Sequence, residues 1–83
     1  MQLEIEIIRY KQSRIYELKL AYQKHLERLD SILAANIQTI KKDKNLNVHQ
    51  KTQYILSLVT QYYINTTNLE NALNKNISYI SDL

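Results

Sequence analysis

Between Ile15 and Ile40 the large apolar side chains fall at Ile15, Leu18, Tyr22, Leu26, Leu29, Leu33, Ile37 and Ile40, in steps of 3, 4, 4, 3, 4, 4 and 3. This is an eleven-residue repeat. Its period of about 3.67 residues per turn is close to that of a relaxed helix, so the stripe stays on one face with little supercoil. The spacing predicts a long, nearly straight amphipathic helix, with Glu17, Lys24, Arg28 and Lys42 on its solvated side. Upstream the stripe fails at Lys11, and Leu3, Ile5 and Ile7 alternate with Glu4 and Glu6 as in a strand, with Ile8 adjoining. No second strand-like run exists to pair with them, so they read as the first turns of the same helix.

Lys41 to Asn47, rich in charge and Asn, is the one segment that reads as a connection. Asn47 followed three residues later by Gln50 has the spacing of a capping box, so a second helix should start there. With no glycine to hand, Asn45 is the expected left-handed residue after the first helix. Beyond the connection the stripe resumes with Val48, Ile55, Val59, Tyr62, Leu69, Leu73, Ile77 and Ile80, while Thr66 stands where an apolar residue is expected. A continuous second helix with one polar layer is the first reading. The alternative is a break near residues 65–67, where Thr67 and Glu70 repeat the capping-box spacing, giving three helices.

Two helices of similar length joined by a short loop run antiparallel, so the expected fold is all-α, an antiparallel two-helix hairpin forming one domain over residues 1–83. Folding about Asn45 and Leu46 sets residues opposite one another when their numbers add to 91 or 92. Thr66 then meets His25 and Leu26; these polar residues, with Asn36, are expected at the stripe margin and half solvated. Helix two is apolar on both sides of its stripe, with Leu56 and Tyr63 on one and Tyr54, Ala72 and Tyr79 on the other. One opposing helix cannot cover that arc, so the hairpin is expected to complete a helical bundle by association.

Composition sharpens this picture. The 83 residues include no Gly, Pro or Cys. That removes the usual material of tight hairpins and phosphate-cradling loops and argues against a β-rich fold, while the length leaves room for one small domain. A core this small supplies only about 3–5 kcal/mol, and without a disulfide or metal staple association is the remaining source of stability. The absence of cysteine and of a secretory leader points to a cytoplasmic setting, or to the interior of a phage, virus or secretion assembly. The longest uncharged run, Thr52 to Leu69, carries Gln53, Gln61, Asn65 and Asn68, so no membrane span is expected.

Chemistry finds little material. His25 and His49 are the only histidines, too few and too far apart for a metal site; no cofactor is expected. His25, Asp30 and Ser31 are close in sequence but point in different directions on a helix, so they form no nucleophilic triad. Nor do the scattered carboxylates offer an acid–base pair, and no small-molecule substrate is expected. The matches to glycosylation acceptors at Asn65 and Asn76 lack a secretory context. Basic residues are the one concentration, since residues 9–51 hold ten of the eleven Lys and Arg against four acids. Arg9 and Arg14 on helix one, with Lys41, Lys42, Lys44 and Lys51 at the hairpin tip, could contact phosphates.

The sequence therefore supports a non-enzymatic protein–protein interaction module, an adaptor, assembly chaperone, inhibitor or structural subunit. Its partner is a second copy in a homodimer or a larger helical protein. The residues expected to bind are Leu3, Ile5, Ile7, Ile8, Tyr54, Leu56, Tyr63 and Tyr79. The overhanging residues 1–8 belong to this surface because helix two has nothing to set against them. A small basic nucleic-acid-binding protein is the alternative. In size and topology the chain resembles the small helical-hairpin subunits and co-chaperones of bacterial secretion systems, without the Pro-containing turn of needle subunits. That likeness is one of architecture alone.

Overall fold

The computed structural model describes residues 2–83, which form two helices, α1 (Gln2–Lys42) and α2 (Val48–Ser81). They pack antiparallel along a hairpin of 68 by 16 by 8 Å. Leu3 to Ile8 are helical, so the apparent strand alternation at the start is the opening of α1. α2 is continuous, and the break considered near residues 65–67 does not occur. Thr66 is accommodated by donating its hydroxyl to the Tyr63 carbonyl at 3.1 Å, as Thr39 and Thr52 do to the carbonyls four residues back.

The connection works without glycine. No described residue has a positive φ, so Asn45 does not take the left-handed conformation expected of it. Asp43 does the work instead: its amide bonds the Ile40 carbonyl at 3.2 Å and its carboxylate accepts the Asn45 amide at 2.9 Å, an Asx turn that closes the loop from a side chain. The capping box at the start of α2 forms as expected, with the Gln50 amide donating to Asn47 Oδ1 at 2.8 Å and the Asn47 amide to Gln50 Oε1 at 3.0 Å.

Three hydrogen bonds fix the register between the helices. Lys11 Nζ donates to the Ser81 carbonyl at 3.1 Å, Lys51 Nζ to the Lys41 carbonyl at 2.8 Å, and the Tyr62 hydroxyl to Asp30 Oδ1. In each pair the residue numbers add to 92. The half-buried seam of α1 is Lys11, Ile15, Leu18, Tyr22, Leu26, Leu29, Leu33, Ile37 and Ile40. The α2 seam includes Lys51, Ile55, Leu58, Tyr62, Thr66, Leu69, Leu73, Ile77 and Ile80. Two members of the expected second stripe therefore move out. Val48 is 81% exposed and Val59 42% exposed, because Lys51 and Leu58 sit at the angles that face α1.

The two seams are the same sequence shifted by forty residues. Lys11 and Lys51, Ile15 and Ile55, Leu18 and Leu58, Tyr22 and Tyr62, Leu29 and Leu69, Leu33 and Leu73, Ile37 and Ile77, and Ile40 and Ile80 are identical pairs. Only Leu26 and Thr66 differ. A forty-residue repeat paired with a sum of 92 has an approximate twofold axis through the layer where Leu26 meets Thr66. The lysine contacts obey this symmetry: each seam begins with a Lys whose ammonium satisfies a carbonyl at the C-terminal end of the opposite helix. Such a cation also meets the negative end of the helix dipole. Lys11, where the apolar stripe stops, is thus a working member of the seam.

Candidate interaction surface

No described residue is fully buried, so every apolar side chain of the hairpin keeps some contact with solvent. The seam opens on one side into two shallow grooves. The first has Leu18, Tyr22, Leu69 and Leu73 as its floor and Ala21, His25, Ala72 and Asn76 around its rim. The second has Leu58, Tyr62, Leu29 and Leu33 as its floor and Gln61, Asn65, Ile32 and Asn36 around its rim. Adding or subtracting forty turns every residue of one groove into a residue of the other. The axis that exchanges antiparallel helices stands perpendicular to the plane holding them, so both grooves lie on the same face. Near the axis His25, Leu29, Asn65 and Leu69 line a further hollow between them.

The two flanks differ in charge. None of the sixteen groove residues is Asp, Glu, Lys or Arg, and the rest of that flank adds Arg28 between the grooves and the paired Arg14 and Glu17 towards the open end. On the opposite flank the helical period places Lys19, Glu27, Asp30 and Lys41 of α1 and Glu70 of α2, together with the apolar Leu56, Val59 and Tyr63. Tyr62 links the two flanks, since its ring floors a groove while its hydroxyl reaches Asp30. That hydrogen bond, with some desolvation and the adjacent Asp30 charge, raises the Tyr62 pKa above the ordinary 10.0.

The residues nominated from the sequence are exposed but do not make one patch. Leu3, Ile5, Ile7 and Ile8 lie on the part of α1 that runs past the end of α2 and are 42–68% exposed. Tyr54 and Tyr79 fall on the grooved flank, at opposite ends of α2, whereas Leu56 and Tyr63 fall on the other. The grooves themselves were missed, apart from Ala72. The signal that could have found them is the forty-residue shift, which pairs the seams and thereby fixes the flanks. Among the basic residues, Arg14 is paired with Glu17 at 2.9 Å and Lys51 is held on the Lys41 carbonyl. Arg9 and Arg14 lie towards the open end, about 40–50 Å along α1 from the tip lysines at about 1.5 Å per residue. Lys41, Lys42, Lys44 and Lys51 alone share the tip.

Among the described residues no group of His, Asp and Glu is arranged to hold a metal ion, and no helix is long and apolar enough to cross a membrane. Comparison with family models, with curated proteins and with solved structures returns no match.

Proposed function

We propose that the chain is a non-enzymatic interaction module, a helical-hairpin subunit that completes its core by associating through its apolar faces. The observation that carries this reading is the surface the hairpin leaves wet. A compact monomer of 9.9 kDa exposes about 5,200 Å² by the usual size scaling, whereas this chain exposes 6871 Å². The difference, about 1,700 Å² per chain, lies in the range that obligate helical interfaces remove from each partner. The exposed apolar residues at Leu3 to Ile8 add to the same need, since apolar surface left in water promotes association.

The reading extends to a role as adaptor, assembly chaperone, inhibitor or structural subunit, all of which use such a face. Phosphate binding has less support, because the basic residues split between the two ends of the hairpin and two of the six nominated are held on protein acceptors. Sedimentation equilibrium over a range from about 1 to 100 µM tests the proposal, with a dimer or larger species expected and a melting temperature that rises with concentration. A cooperatively melting monomer with a concentration-independent melting temperature overturns it.

A further inference from the structure

Resting on the reading above, the geometry points to one specific partner and pose: a second copy of this chain, laid grooved face to grooved face, with the tip of each hairpin at the open end of the other. Three observations carry it.

The first is charge. The grooves themselves carry no formal charge and their flank holds only Arg28 and the mutually paired Arg14 and Glu17, so two copies meeting there desolvate fewer charges than on the opposite flank, which would bring Lys19, Glu27, Asp30, Lys41 and Glu70 into the interface. The second is symmetry. A homodimer needs a self-complementary patch, and a face whose groove floors already repeat about a perpendicular axis presents the same Leu-Tyr-Leu-Leu floor to a partner in either direction. The third is size. A face of 68 by 16 Å projects about 1,100 Å², above the roughly 800 Å² per partner of a standard stable interface, so a full-length pairing is large enough.

Direction follows from the two ends. The tip carries Lys41, Lys42, Lys44 and Lys51 against Asp43, whereas the overhang of α1 carries Glu4 and Glu6. Placing both tips together stacks like charge on like charge. Placing tip against open end sets the lysines of one copy beside the glutamates of the other, and covers the overhanging Leu3 and Ile7, which lie on the groove side, with the partner's loop. In this pose α1 of one copy runs over α1 of the other, with residues facing when their numbers add to about 52.

Charge insertion and crosslinking test both parts. Ala72→Glu, at an exposed groove rim, buries an unpaired carboxylate in the proposed dimer and should raise its dissociation constant about 100-fold or more. Val59→Glu, on the other flank, should leave it within about threefold. Ala21→Glu repeats the test on the facing wall of the same groove, and helical circular dichroism confirms that each variant folds. The chain has no cysteine. A short bismaleimide should therefore join a Tyr10→Cys copy to a Thr39→Cys copy, and should not join Tyr10→Cys to itself. A dimer that survives both rim glutamates and falls to Val59→Glu overturns the chosen face while leaving self-association standing. Efficient joining of Tyr10→Cys to itself overturns the direction. A wild-type chain that stays monomeric removes the underlying reading and this inference with it.

Discussion

Leu18→Ala and Leu58→Ala should cost the same stability, because the two leucines are the same seam position forty residues apart. Fully burying a leucine is worth about 1.5–3 kcal/mol, and truncation in a closed core costs about 2–5 kcal/mol once a cavity remains. Both leucines are half-buried on the floors of grooves open to water, so the cavity contribution falls away. Each substitution should cost about 1–2 kcal/mol, with a melting temperature lower by about 5–15 °C. A second copy lying over the grooves would move both values up together and keep them equal. The two sites are about 24 Å apart along the hairpin at 1.5 Å per residue, so the double variant should show the sum of the single effects within about 0.5 kcal/mol. Val59→Ala, one residue away but outside the seam, should cost about 0.5 kcal/mol. Urea unfolding followed by circular dichroism at one fixed protein concentration gives all four numbers. If Leu18→Ala costs twice what Leu58→Ala does, or Val59→Ala matches Leu58→Ala, the paired seams have been misassigned.

Further outcomes follow from the same contacts. Lys51→Ala and Lys11→Ala each remove a cation from a helix C-terminus and should each destabilise by about 0.3–1 kcal/mol in low salt, an effect that shrinks at high salt, whereas Lys24→Ala should change stability by less than about 0.5 kcal/mol. Because the folded-state pKa of Tyr62 is raised, the stability it contributes is present below the ordinary value of 10.0 and lost as pH rises through the folded value; Tyr62→Phe should therefore lose less melting temperature than wild type between pH 9 and 11. An equal loss in both chains would show that the other tyrosines and lysines account for it. Removing residues 2–8 should abolish association while retaining most of the helical circular dichroism per residue, since these residues lie beyond the paired part of α1; a truncated chain of unchanged oligomeric mass would refute that role.

The hairpin, its register and the Asn47–Gln50 capping box of its second helix were readable from the sequence because each rests on spacing alone. The first stripe matches the observed seam from Ile15 to Ile40 without exception. In α2 the reading slipped where two apolar residues are neighbours: Leu58 and Val59 both suit a helical stripe, and only the partner helix chooses between them. Lys51 was invisible for a different reason, since an apolar pattern has no place for a lysine whose stem packs while its ammonium finds a carbonyl. Asn45 failed because Asp43 supplies the turn by a side-chain hydrogen bond, a competing local solution that the sequence offered equally. Thr67 and Glu70 imitate a helix start, but the seam residues on either side hold α2 straight through them. The grooved face depended on the repeat, which shows at the seam positions while the flanks have diverged.

Because the seam reads the same in both halves, pairing by itself does not distinguish α1 from α2. An α1 from one chain fits the α1 of another as well as it fits its own α2, with Leu26 against Leu26 at the central layer, while two α2 helices would set Thr66 against Thr66. What selects the hairpin is the loop of residues 43–47, which holds the two helices at an effective concentration in the millimolar range. A protease cut or a stiff helical insertion there would release the choice. The strands of the seam would then exchange between chains, and the helices would sort by the one layer at which their sequences differ.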